Sequence, residues 1–404
     1  MKLSIIKTFF LALVVTIMAF SMILLPKESF EASIRGLNMW WEIVFPSLFP
    51  FFVISELLIG FGVVRFLGVL LEPFMRPLFR VPGVGGFAWA MGMATGFPAG
   101  AKLTSHLRME GHLTRIEAER LVSFTNSSSP LFIFGAVSIG FFQNPRLGFL
   151  LAFAHYLGNF FVGITMRYYG SSKTKKGIKR ASSRTLFVQA LAALHHTRIK
   201  NNKPLGKLLG DAVISSIHTL LMIGGFIILF SVINKILFHL HITSILAKLM
   251  GFVLGFFQLP AELSTSLIAG LFEITLGSQM SSEVHAASMM AQVIVVSFIL
   301  GFSGFSVQAQ VASIIAQTDI RFKPFFFARI LHGLLAGFFA FVLWKLIPKT
   351  FYLVTEDQAV PAIVFLHDTW WANIFHFFAK SGPLITIFSL LIYIFIYFSK
   401  TKKT

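Results

Sequence analysis

The stretch "SFTNSSSPLF", Ser123–Phe132, sets five consecutive polar side chains and a proline into sequence otherwise rich in Leu, Val, Phe and Ile. Upstream, Thr114 with Glu117 three residues later forms a capping box that starts a helix. The first turns of that helix, "RIEAER", are charged, and the chain then becomes apolar. Pro130 lacks an N–H and its ring clashes with the preceding turn, so the helix breaks just before it. The break frees backbone carbonyl and N–H groups. In hydrocarbon these must be met by protein or by a water-lined cavity, because lipid offers them no partner.

Hydrocarbon is the setting that composition dictates. The chain has 404 residues, 56% hydrophobic and 12% charged, with a mean hydropathy of +0.79; soluble domains carry about 25% charged residues. Apolar runs near the ~18-residue length of a membrane helix recur along it. The first, Ile5–Leu25 behind Lys2 and Lys7, is longer than the apolar core of a signal peptide and lacks a small-x-small cleavage site; it reads as an uncleaved membrane helix. Further spans are expected over 41–64, 114–142 (broken), 147–169, 212–238, 286–316, 325–347 and 384–398. The net charge of +18 sits largely in loops beside these spans, where it serves orientation and attraction to anionic membrane lipids. No nucleic-acid motif accompanies it, so nucleic acid is not an expected partner. With no cysteine, disulfides, thiolate catalysis and iron–sulfur chemistry are excluded. No Walker A loop, zinc-ligand pair or Rossmann fingerprint is present and no base accompanies the serine cluster, so no enzyme and no cofactor is expected.

Charge gives a topology. The segment 170–207 carries Lys173, Lys175, Lys176, Lys179, Arg180, Arg184, Arg198, Lys200, Lys203 and Lys207 without an acid, which places it in the cytoplasm. Two regions, 66–102 and 244–280, hold pairs of short apolar arms around "RPLFRVPGVGG" and "QLPAEL"; they read as re-entrant hairpins or as tight helix pairs, and either returns the chain to its starting side. Counting from a cytoplasmic N-terminus, the basic loop and the C-terminal "KTKK" both fall inside.

The chain also repeats itself. "VSFTNSSSPLF" from Val122 matches "VSFILGFSGFS" from Val296, and "FFVISELL" from Phe51 matches "FIILFSVI" from Phe226. "TGFPAGAKL" from Thr95 matches "EITLGSQM" from Glu273, with Gly100 against Gly277, and "HYLGNFF" at His155 matches "HGLLAGFF" at His332. The unit is helix, hairpin, broken helix, helix, beginning outside in the first copy and inside in the second. That is an inverted repeat, the plan of many secondary transporters. The boundaries that follow are an N-terminal helix and loop at 1–40, a first unit at 41–169, the basic loop at 170–207, a second unit at 208–348, and an outer loop with a last helix at 349–404. The fold class is an all-α polytopic membrane protein with two inverted repeats and re-entrant helical hairpins.

The binding site for a small polar solute is expected where the polar breaks meet the hairpins. The first break supplies Asn126, Ser127, Ser128 and Ser129; the second, "GFSGFSVQAQ", supplies Gly301, Ser303, Ser306, Gln308 and Gln310. The hairpins add Thr95, Pro98, Gly100, Lys102, Glu273 and Thr275. An acid in an apolar segment is functional by default, so Glu273 is a candidate to bind a cation, take a proton or pair with Lys102; a solvated position at the outer surface is its bland alternative. The small residues serve close helix packing equally well. His155, His218 and His332 read either as proton relays or as helix-to-helix hydrogen bonds. A coupling ion, Na+ or H+, fits this plan, and no metal site is expected.

"TGFPAGAKL", "SFTNSSSPLFIFGAV", "LFEITLGS" and "GFSGFSVQAQ", in this order over about 41–347, resemble the sporulation membrane proteins of the nucleoside-recognition, or Gate, family. The resemblance implies a cell-membrane protein needed for the spore cortex, and a fold related to concentrative nucleoside transporters, with two inverted hairpin-containing repeats. Transport of a small polar solute follows as the expected function. The alternative is a non-transporting scaffold that recruits cortex-building partners through the basic loop. Other sporulation membrane proteins and a second copy of the chain are the expected protein partners.

Overall fold

The computed structural model describes residues 2–170, 186–201 and 203–347. The last span at 384–398, the "KTKK" tail, and Lys173, Lys175, Lys176, Lys179, Arg180 and Arg184 of the basic loop lie outside the described residues. Among the described residues every regular element is helical. Helices α1 (Lys2–Leu24), α2 (Pro26–Met39) and α3 (Phe45–Gly60) lead to α4 (Val63–Phe79), α5 (Val84–Thr95) and α6 (Ala99–Met109). Next come α7 (Arg115–Thr125), a π-helical segment (Phe132–Phe141) and α8 (Leu147–Met166), then α9 (Leu186–Asn201) and the long α10 (Leu205–His239). The second half continues with α11 (Ile242–Phe256), α12 (Ser264–Phe272), α13 (Ile274–Ser282), α14 (Met289–Phe302), α15 (Gly304–Ile315) and α16 (Phe322–Leu346).

Four described helices are long and apolar enough to cross a bilayer: Leu147–Met166, Leu205–His239, Met289–Ile315 across its kink, and Phe322–Leu346. Two bent pairs raise the number to six. At ~1.5 Å per residue, α10 exceeds the ~30 Å hydrocarbon core. Phe9, Phe10, Ile23, Phe252 and Phe256 stand well over half exposed, which acyl chains accommodate and water would not. The expected span over 41–64 does not run straight. It starts with a π turn at Trp40–Val44 and ends at Gly62, whose φ of 83° is open to glycine. The chain then turns by 81° into α4.

The two units have the same element order: helix (α3, α10), amphipathic helix (α4, α11), two short antiparallel arms (α5–α6, α12–α13), broken helix (α7 with the π segment, α14–α15), helix (α8, α16). The arms explain a correction. "RPLFRVPGVGG" and "QLPAEL" do turn the chain, but they join α4 to α5 and α11 to α12. The hairpin tips lie further on, at Gly96–Pro98 and at Glu273. At the first tip Gly96 has φ 86° and the Phe97–Pro98 peptide is cis. Across each tip two glycines let the arms touch. A Cβ on Gly100 or Gly92 would run into the Thr125 carbonyl at 2.0 Å, and one on Gly277 would meet Gly270 Cα at 2.1 Å. Gly100 and Gly277, which the sequence aligns, both lie on the second arm of a hairpin, Gly100 pressed on α7 and Gly277 on its own first arm.

One large core runs through α4–α8 and α11–α16. A smaller cluster, with Trp40, Leu48, Phe52, Leu220, Ile223 and Ile227, ties α3 to α10. Two bidentate ion pairs join the units at one end. Arg108 binds Asp319 through two contacts of 2.7 Å, which holds the Asp319 carboxyl below its ordinary range. Arg321 binds the buried Glu119 at 2.7 and 3.0 Å, beside the Tyr169 hydroxyl.

Candidate functional site: two broken helices around α16

The capping box at the start of α7 is present: the Thr114 hydroxyl accepts from the Glu117 N–H, and the Glu117 carboxylate accepts from the Thr114 N–H at 2.9 Å. The helix ends where Pro130 requires, with Asn126 already extended (φ −98°, ψ 98°). Ser129 Oγ then accepts from the Phe132 N–H at 3.2 Å and starts the π segment.

The freed backbone groups are met by side chains of α8 and α16. Asn159 Nδ2 donates to the Phe124 carbonyl at 2.6 Å. Tyr156 donates to the Ser128 carbonyl at 3.0 Å, and the Ser128 N–H donates to His155 Nε2 at 3.0 Å. Arg329 donates to the Asn126 carbonyl at 2.6 Å and to the Ser123 carbonyl. Protein thus supplies what lipid could not. The serines themselves do little of this; Ser127 Oγ reaches only the Gly92 carbonyl, at 3.4 Å.

The second break forms differently. Ser303 adopts a left-handed conformation (φ 69°) and Gly304 follows at φ 58°. Gln308 Nε2 reaches back to the Phe302 carbonyl at 3.0 Å. A Cβ on Gly304 would approach the carbonyls of Gly270 and Phe272 at 3.2 and 3.3 Å, so the hairpin α12–α13 lies against this break. Hairpin α5–α6 does the same at the first break, where a Cβ on Gly96 would come 2.9 Å from the Ser129 nitrogen.

Helix α16 touches both breaks within about one turn. Arg329 holds Asn126, His332 lies 3.1 Å from Arg329, and a Cβ on Gly301 would sit 2.8 Å from the His332 carbonyl. The His332 ring reaches the His155 carbonyl at 2.8 Å, and the two rings lie 4.6 Å apart. These histidines open the matched stretches "HYLGNFF" and "HGLLAGFF", but their contact is one-sided: the His332 ring meets the His155 carbonyl, while the His155 ring turns to the first break. His332 makes the helix-to-helix hydrogen bond, from α16 to α8; His155 accepts from the unwound Ser128 N–H and its Nδ1 has no protein partner; His218 lies elsewhere, lining a cleft with Lys102 and Glu56.

Around the breaks, several buried polar atoms have no protein partner. They include both amide atoms of Asn126, Ser128 Oγ, Ser303 Oγ and Gln308 Oε1; Ser278 Oγ in α13 is another. Asn126, Ser127, Ser303, Ser306 and Gln310 are all buried to 2% exposure or less. Thr95 is turned onto its own helix, donating to the Met91 carbonyl at 2.7 Å. Pro98 heads α6. Gly301 packs on α16, and Thr275 is half-buried beside Glu273.

Two expectations for the charged residues change. Glu273 is buried and caps α13, its Oε2 accepting from the Leu276 N–H at 2.8 Å. It does not pair with Lys102. Lys102 lies 2.7 Å from Glu56 on α3 and 3.0 Å from Ser215 on α10. It points away from its hairpin tip because α6 turns this face towards α3 and α10. Two clefts, ≈ 670 and ≈ 450 Å³, open on that flank, and both are lined by Glu56, His106 and Ser215. Sequence reading also missed Arg329, Asn159 and Tyr156. A lone arginine inside the apolar run "FFFARILHGLL" was the available signal.

This arrangement defines a polytopic integral membrane protein built from two hairpin-and-broken-helix units, with buried polar groups where the breaks flank one helix. The Gate family, described as nucleoside recognition, matches residues 41–145 and 220–318, one segment in each unit. The sporulation integral membrane protein YlbJ of Bacillus subtilis (strain 168) is 55% identical over 401 residues, covering 97% of this chain and 95% of the relative. The chain belongs to the Gate family, and within it to the sporulation integral membrane proteins. Among solved structures, CNTnw in an inward-facing substrate-bound state is similar at 13% identity with a TM-score of 0.46, covering 87% of this chain and 86% of that one. CNTnw in an outward-facing state is similar at 13% identity and a TM-score of 0.43, covering 81% and 86%.

Proposed function

We propose that the protein is a secondary transporter or permease for a small polar solute, acting during spore formation and needed for the cortex. Its two units lie inverted in the cell membrane, with the basic loop and the C-terminus in the cytoplasm. One observation carries this reading: at the two breaks that flank α16, buried polar atoms of Asn126, Ser128, Ser303 and Gln308 have no protein partner. A buried polar atom left unpaired costs about 1–3 kcal/mol. A purely structural kink would select apolar or paired side chains there. A site that a polar solute enters and leaves requires the opposite. No catalytic residue and no cofactor belong to this reading.

The test is complementation of a deletion strain with Asn126→Leu and, separately, Glu273→Gln, each matched for membrane abundance. Loss of cortex-containing spores at normal abundance is the expected result. Normal sporulation by both variants would remove the site, and severe loss on neutralising the basic loop instead would favour the scaffold. Metabolite profiling of sporulating cells with and without the protein should show one solute accumulating on one side of the membrane.

A further inference from the structure

Arg329 is wholly buried on α16, and its surroundings lack the usual counter-charge. Among the described residues it bonds to two backbone carbonyls, Asn126 and Ser123, and to His332 Nδ1, with Phe325 beneath the guanidinium at 5.3 Å; no carboxylate pairs with it. Its Nε has no partner. What balances the charge is the end of α7. The last carbonyls of a helix carry the negative end of its dipole, worth roughly half an elementary charge, and two carbonyls at this end are in the arginine's grip.

Unwound carbonyls at a half-helix C-terminus in the bilayer are also what secondary transporters use to hold a coupling cation. Such oxygens can serve one cation at a time. A guanidinium suits the task because its planar fork spans two carbonyls and it is weakly hydrated, so burial disfavours it less than an ammonium. The second break has no equivalent: there the Phe302 carbonyl is met by the neutral amide of Gln308.

We infer that Arg329 is a tethered cation, fixed on the carbonyl oxygens of the first break in the place a free sodium ion would take. Sodium therefore neither binds nor drives movement at this break. The inference rests on reading the break as a solute site, but its test does not require a solute to move, so the two can fail separately.

The test uses the full-length protein in lipid nanodiscs and reads the thermal unfolding midpoint in sodium, potassium and choline chloride at equal ionic strength. The wild-type midpoint should be the same in all three, to within about 1 °C. Arg329→Ala exposes the carbonyls. In choline its midpoint should fall by about 5 °C or more, and sodium or millimolar methylguanidinium should restore it saturably. A side chain with only a packing role would show no such cation dependence. A saturable sodium stabilisation of the wild type, or an Arg329→Ala protein indifferent to every cation, overturns the inference. If Arg329→Ala yields no protein, Arg329→Lys decides. It keeps a tethered cation and should remain indifferent to sodium; stabilisation of that variant by sodium overturns the inference equally.

Discussion

Asn126 and Asn159 lie across one break and make opposite predictions. Asn159 Nδ2 satisfies the Phe124 carbonyl, although its own Oδ1 has no protein partner, so Asn159→Ala strands a buried acceptor and should cost about 1–3 kcal/mol. Asn126 has two buried polar atoms with no protein partner. Asn126→Leu should leave the unfolding midpoint unchanged or raise it, because removing unpaired polar groups relieves a desolvation cost, while function is lost. Equal destabilisation by both variants would make Asn126 a structural residue. Asn126 was legible from sequence because it belongs to the polar run that ends at Pro130 inside apolar sequence. Arg329 was less so: its partners lie some 200 residues upstream, and only folding brings α16 against the end of α7.

At the scale of elements, each hairpin closes on paired glycines. Gly100→Ala would drive a methyl into the Thr125 carbonyl, and Gly277→Ala would drive one into Gly270. Both approaches involve backbone, which cannot rotate away. Each variant should lose about 1–3 kcal/mol, the usual cost of overpacking, and function should go with it as the hairpin lifts from its break. Gly255 and Gly206 lie in helices facing open space. Gly255→Ala and Gly206→Ala should be neutral or stabilise by up to about 1 kcal/mol, the helix preference of alanine over glycine. Unfolding midpoints of the four proteins check both halves. The sequence carried the start of α7, the position of both breaks and the match of Gly100 with Gly277. It misled at the hairpin tips, because "RVPGVGG" and "QLP" are the louder turn signals while Gly96–Pro98 and Glu273 sit inside what reads as a continuous arm. The actual tips follow from the close approach of Gly92 to Gly100 and of Gly270 to Gly277, which is a tertiary fact.

At the scale of the whole molecule, the two units are joined by carbonyl-to-side-chain bonds around α16 and by ion pairs at one end. Glu119 is buried and its nearest counter-charge is the half-exposed Arg321, with Arg115 further off at 3.9 Å. Arg321→Ala should lower the unfolding midpoint, because Glu119 would keep only the Tyr169 hydroxyl and the more distant Arg115 guanidinium, and Glu119→Gln in that background should recover part of the loss; a destabilisation unchanged by the second substitution would show that the carboxylate is not what suffers. The repeat itself was visible in four sequence matches, and its inversion was inferred from charge alone. Inversion is the central claim, because only inverted units present their hairpins to the breaks from opposite membrane faces. The chain contains no cysteine, so single-cysteine variants need no background engineering. Met109, at the base of the first hairpin, is 55% exposed, and Ala286, just past the second, is also exposed. With a membrane-impermeant maleimide, Ala286→Cys should be labelled in intact cells and Met109→Cys only after the cytoplasmic face is opened. Labelling of both residues from the same face would contradict the inverted arrangement and the solute site built on it.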